Sequence, residues 1–317
     1  MNETGWITLT FDDALDQHLD VVLPALDTNG LVGTFYVPLS ARGFVRRQDE
    51  WRAAALSGHE LGNHTVFHPA LSSKAWVQPG NAIDDYSLDR MRMELEFANE
   101  MLSAVDGQPE RTFAYPCSNP CVGHSGWVRA ALRRLNLDRT RLAGWVDRFQ
   151  LDVGSTRESY ARIVGELFPA ARGGGLSRGA VVPPTSQWER TNLLSVAVEG
   201  WELSELQRHV EAAVSRQTWG ILQFHGVGGG HHMDCDASVF REFAAWLGDR
   251  HPLCVKTVLE GVRRLWPDCS SSTGMSSSAV LSAKSHDSES GFDDYSGVQP
   301  SRDAARSRSE RAGANSS

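Results

Sequence analysis

The first patterned stretch, WITLTF at residues 6–11, is β-branched and apolar, and it stops at the adjacent carboxylates Asp12 and Asp13. The next, LDVVLPALDTNG, sets Leu19, Val22, Leu23 and Leu26 at helical spacing before Gly30 ends it. VGTFYVP then reads as a second strand, EWRAAALSG as a short helix closed by Gly58, and HELGNH as a further strand or strand end. Between Ser87 and Val105, residues Met91, Leu95, Ala98 and Leu102 share one helical face, and RTFAYP is again strand-like. The weaker units LAGWV and LSVAV lead to a clear late strand, WGILQFHG, a helix over SVFREFAAWLGD and a final strand in LCVKTV. Short β-rich runs alternating with amphipathic stretches, about seven or eight times over, predict a parallel α/β barrel in one domain.

From residue 270 the chain turns to Ser, Gly, Asp and Arg, with Phe292 and Tyr295 as its aromatics. Such a segment buries too little apolar surface to offset its ordering entropy. The expected organisation is therefore a folded domain over 1–269 and a disordered tail over 270–317.

The 317 residues are enough for a sizeable core, and a net charge of −8 without a clustered Lys/Arg surface argues against a nucleic-acid partner. No apolar run approaches the ~18–20 residues that span a bilayer, and MNETGWITLTFDD lacks the basic-then-apolar pattern of a secretory signal. A cytoplasmic protein with no membrane partner is expected. Its five cysteines are odd in number and irregularly spaced, as free thiols are; a C-x3-C pair at Cys117 and Cys121 lacks a second pair to close a zinc site.

In a parallel barrel the loops after the strands converge on one mouth. Four predicted strand ends carry reactive residue types: Asp12 and Asp13, then His64 and His68, then Tyr115 and Pro116, and last His225. The segment GHELGNHTVFHP opens like a zinc-protease helix, but Asn63 stands where H-E-x-x-H needs its second histidine. His64 and His68 remain, four apart. Asp12-Asp13 reads either as a helix-capping turn or as two repelling carboxylates relieved by a cation or a shared proton. One Asp with the two histidines makes an N/N/O ligand set with open positions, as in catalytic zinc sites, and the other Asp is then free to act as a base.

His225, between GILQF and GVGGG, is either a general acid or a satisfied core histidine. GGGHHMDCD, with His231, His232 and Asp234, reads as a mobile loop over the mouth rather than as a second metal site. Trp145, Trp188, Trp201 and Trp219 are candidates for sugar stacking, with nothing to choose among them.

TFDD, then the H-[ST]-x-x-H core of GHELGNHTVFHP, then an aromatic-proline strand end and a late strand ending in His resemble the polysaccharide deacetylases, the NodB-homology or carbohydrate esterase family 4 enzymes. The resemblance covers about residues 5 to 260 and implies a distorted (β/α)7-type barrel with a divalent metal in its mouth. Zinc is the expected ion, with cobalt, nickel or manganese as alternatives. It implies Asp13, His64 and His68 as ligands, Asp12 as general base and His225 as general acid. Thr65 would brace the loop between the ligands, with Tyr115, Pro116 and Cys117 beside substrate or site.

The chain also departs from the family pattern. Where the third motif is commonly R-P-P-Y-G, this sequence has FAYPCS, with Ala114 in the arginine's place and Arg111 three residues earlier. The fourth motif is not identifiable; Asp147 near Trp145 and the ARGGG region around Arg172 are candidates. Gln223 replaces the leucine of L-x-H that would line the acyl pocket. The function implied is N-deacetylation of a sugar, amino sugar or oligosaccharide. The alternatives are hydrolysis of a cyclic amide or imide, as in allantoinase-like relatives, O-acetyl ester hydrolysis, and non-catalytic carbohydrate binding.

Overall fold

The apolar runs pair side by side into one seven-stranded sheet, all of whose neighbours are parallel. In chain order the strands are β1 (Trp6–Asp12), β2 (Thr34–Val37), β3 (Glu60–Asn63), β4 (Phe113–Ala114), β5 (Ala171–Arg172), β6 (Val196–Ala197) and β7 (Trp219–Phe224). Their order across the sheet is β5-β4-β3-β2-β1-β7-β6. Every residue of β1, β2 and β3 is buried, as expected where helices cover a parallel sheet. Parallel bridges from Arg172 to Leu193 and from Leu176 to Val196 connect the two edges, so the sheet curls into the expected barrel-like form. This computed structural model describes residues 5–267 apart from 79, 125, 136, 138–139, 150 and 152–156. The expected tail lies outside the described residues, and no helix among them is long and apolar enough to cross a membrane.

The crossover helices follow their sequence signals. Leu88–Asp106 starts where the Ser87 side chain accepts from Arg90 N and stops at Gly107, whose φ of 71° suits a residue without a Cβ. It buries Met91, Leu95, Ala98 and Leu102, the face predicted. Two expectations are corrected. LAGWV lies inside a helix, Arg141–Arg148. LCVKTV forms no strand: Pro252 opens a single 3-10 turn, Val255 alone bridges to Ile7, and a Thr257–Glu260 capping box starts the helix Val258–Leu265.

The His-Glu pair before the metal-type motif is structural. The buried Glu60 carboxylate accepts from Thr112 N (2.9 Å), Thr112 Oγ1 (2.6 Å), Thr34 Oγ1 (3.0 Å) and Leu259 N (2.9 Å). His59 Nδ1 accepts from Gly33 N, and its Nε2 lies 3.0 Å from Asp27. Both residues fasten the start of β3, the end away from His64.

Phe11 sits at the centre of the main core, its ring 4.9 Å from Phe35, 5.2 Å from Phe224 and 5.8 Å from Phe240. Phe11→Ala is expected to cost about 3–5 kcal/mol of stability, read from the urea midpoint with the slope unchanged; a loss of under about 1 kcal/mol would mean that the core closes around the gap.

Candidate active site

Strands β1, β3, β5 and β7 each deliver a side chain to one cavity of about 220 Å³ or to its floor. Asp13 Oδ1 lies 3.9 Å from His64 Nε2 and 3.5 Å from His68 Nε2, and the donor atoms of the three all fall within 4.8 Å of one another. Donors bound to one zinc at about 2.0–2.2 Å stand roughly 3–4 Å apart, so the set fits a divalent cation. His64 Nδ1 donates to the Ala114 carbonyl at 2.8 Å, which leaves Nε2 with its lone pair toward Asp13. Burial, together with the neighbouring His68, holds the His64 pKa down at about 4. A neutral imidazole is the form that binds metal.

The loops are held in conformations that residues with a Cβ seldom adopt. Of the seven non-glycine residues with positive φ among the described residues, six surround this mouth: Asp13, Ala14, Thr65, His68, Cys117 and Ser118. Each costs about 1–2 kcal/mol, so the surrounding contacts must over-determine them. Asn63 Oδ1 accepts from Thr65 N, Asn63 Nδ2 donates to Leu95 O, and Thr65 Oγ1 accepts from His68 N at 2.9 Å. Thr65 thus ties the two histidine positions together.

Asp12 is buried beside this set. Arg172 Nη2 donates to both of its oxygens, at 2.6 and 2.5 Å, and Gln223 Nε2 donates to Oδ2 at 3.0 Å. Burial alone would raise the Asp12 pKa, but the charges of Arg172, His64 and His225 outweigh it and bring it down to about 2. Ser195 Oγ donates to Gln223 Oε1 and accepts a longer contact, 3.4 Å, from Arg172 Nη1. His225 Nε2 lies 3.7 Å from Asp12 Oδ2, its carbonyl is 2.7 Å from His18 Nε2, and its ring stacks on His231 at 5.0 Å.

The structure therefore brings Asp12, Asp13, His64, His68 and His225 into one cavity, with Tyr115 and Cys117 in its wall, while Pro116 is buried and takes no part in its lining. Arg172 is the arginine that binds Asp12. Arg111 does not: it binds Asp106, the Leu61 carbonyl and Ser103. The Gln223 amide is committed to Asp12 and Ser195 rather than free to shape an acyl pocket. Cys117 and Cys121 are free thiols, and the Asp147 side chain lies outside the described residues.

The tryptophan candidates are corrected. Trp188, Trp201 and Trp219 are core residues, the indole N–H of Trp188 donating to the Pro183 carbonyl and that of Trp219 to Thr8 Oγ1, and Trp145 is exposed elsewhere. The aromatic at the mouth is Trp76, 5.4 Å from the His68 ring. Trp76 and Lys74 were missed in the sequence; their signal is a Lys-x-Trp in a polar loop shortly after His68. His231, His232 and Met233 of the GGGHHMDCD loop form another part of the wall.

Residues 2–139 match the family model described as polysaccharide deacetylase. Over that stretch, less than half of the chain, the sequence is similar to the polysaccharide deacetylase family. The match takes in Asp12, Asp13, His64 and His68; Arg172, Gln223 and His225 come from the polypeptide beyond it. A gellan lyase from a Bacillus species is 27% identical over 117 residues, which are 36% of this chain and 4% of that protein. A provisionally assigned polysaccharide deacetylase from Mycobacterium smegmatis superposes with a TM-score of 0.50 at 13% identity, covering 84% of this chain and 92% of that one. That similarity is one of fold. A carbohydrate esterase family 4 pseudoenzyme from Bacillus anthracis gives a TM-score of 0.44 at 16% identity, covering 83% of this chain and 66% of that one. The chain spans less than two thirds of the length of both the gellan lyase and the pseudoenzyme.

Two buried histidines, His18 and His64, make the site acid-sensitive. Burial also lowers the His18 pKa to about 4, against the opposing effect of its bond to the His225 carbonyl. Unfolded, each histidine takes up a proton near pH 6.5; folded, His18 and His64 do so near 4. The unfolded state thus binds more protons across that window, and stability present above pH 6.5 is lost as the pH falls toward 4. The melting temperature of the metal-free protein is expected to be level from pH 7 to 8 and to drop steadily from 6.5 to 4.5; a level profile below 6.5 would contradict the burial of these rings.

Proposed function

We propose that this protein is a metal-dependent deacetylase that hydrolyses the N-acetyl group of an acetylated sugar, amino sugar or oligosaccharide. The observation that carries this reading is the juxtaposition, in one cavity, of the Asp13–His64–His68 donor set with an Arg172-bound Asp12 and His225. Asp13, His64 and His68 would hold the cation, which supplies Lewis acidity toward a carbonyl oxygen and a water. Asp12, ionised at any working pH, takes the proton from the attacking water. Arg172 and Gln223 fix the direction of its carboxylate, so little reorganisation is needed as the reaction proceeds. His225, 3.7 Å from Asp12 Oδ2, gives a proton to the departing nitrogen. The Asp12–His225 separation also offers a short return path for the proton that Asp12 has taken.

With Arg172 placed on Asp12, the absent third-motif arginine no longer favours ring-amide hydrolysis over deacetylation. Release of acetate from N-acetylated sugars is expected, abolished by EDTA and restored by added zinc or cobalt. Asp12→Asn should lower kcat by about 10²- to 10⁴-fold with metal content unchanged. Full acetate release by a verified metal-free Asp13→Ala protein would overturn the proposal.

A further inference from the structure

The loop after His68 carries two residues that the chemistry above does not use. Its ends are tied: Ala70 bridges Ala82, Ile83 N donates to Ala70 O, and Ser72 N donates to Asp84 Oδ2 at 2.6 Å. Ala70, Val77 and Ala82 form a small core of their own beneath it. Lys74 and Trp76 project from this fastened loop into the wall of the catalytic cavity. Trp76 is half exposed, with its ring beside His68. Lys74 is exposed, it lines the same cavity as Cys117, and among the described residues no carboxylate pairs with it.

The charge balance of the mouth gives that ammonium a meaning. Asp12 and Asp13 are matched in charge by Arg172 and Lys74, so a divalent cation on the donor set leaves the mouth net positive, on a chain whose overall charge is −8. A positive cleft on an acidic protein concentrates anions locally. An exposed indole beside it offers the flat apolar face that a pyranose ring packs against.

We propose that Lys74 and Trp76 make this site selective for acetylated sugars bearing an acid group, a carboxylate or a phosphate ester. The sugar ring packs on Trp76, the anion pairs with Lys74, and the acetamide is left to reach Asp12 and the donor set. This rests on the deacetylase reading for turnover, but not for binding.

The test uses three probes: N-acetylneuraminic acid, N-acetylglucosamine 6-phosphate and neutral N-acetylglucosamine. In acetate-release assays of the metal-loaded protein, Lys74→Met should raise KM for an acidic sugar by about tenfold, the worth of one charge-assisted contact. It should leave kcat, and KM for the neutral sugar, unchanged, while Lys74→Arg should restore most of the loss. Which acidic probe responds tells carboxylate from phosphate. Calorimetric titration of the Asp12→Asn protein reads binding without turnover. Tighter binding of an acidic sugar than of the neutral one, weakened by Lys74→Met and by added salt, supports the anion site even if no probe releases acetate, in which case the deacetylase reading alone has failed. No binding of either acidic sugar, or binding and KM indifferent to Lys74→Met, overturns the proposal.

Discussion

The buried pair of Arg172 and Asp12 is the contact on which the rest of the site depends. It joins β5, at one edge of the sheet, to β1 near its middle, and both side chains are almost wholly excluded from water. Two charges so placed are costly to desolvate, and they are tolerable only when geometry and further hydrogen bonds are good. Here the guanidinium reaches both oxygens of Asp12, Gln223 adds a donor, Ser195 links Gln223 to Arg172, and the Tyr36 ring lies 5.0 Å from the guanidinium carbon. The Tyr36 ring in turn needs Gly62, where a Cβ would come within 2.5 Å of it. One ion pair therefore couples the curl of the sheet, a glycine in β3 and the orientation of the proposed base.

The donor set is built by a different device. Asp13 follows β1, and His64 and His68 follow β3, on backbone that leaves the strand direction at once through positive φ. The cost is borne by the hydrogen bonds of Asn63 and Thr65, by the Ala114 carbonyl on His64, and by the packing of the helix Leu88–Asp106 behind Asn63. Local strain held by a rigid frame is characteristic of sites that must present side chains in one arrangement.

The sequence made the first half of this site legible because its chemistry lies in two short motifs, the first placed directly after a strand long enough to show its pattern. The ligand candidates and the base candidate were readable in that way, and His225 from its place at the end of the late strand. Arg172 was not assigned, because β4, β5 and β6 have two residues each and strands so short carry no periodicity. Its partner also stands 160 positions away in the chain. LCVKTV misled because a β-rich composition there serves one bridge and a helix cap. Trp76 was passed over because nothing in one sequence tells a tryptophan on a loop over the mouth from the five buried in the core.

The proposed chemistry requires that Asp13, His64 and His68 close around one divalent cation beside Asp12. Anomalous diffraction at the zinc edge, from crystals of the protein grown with zinc, tests it most directly. One strong peak is expected within about 2.0–2.2 Å of Asp13, His64 and His68, absent in the His68→Ala protein. A peak at His231 and His232 instead, or none at the three residues in zinc-saturated crystals, would contradict it.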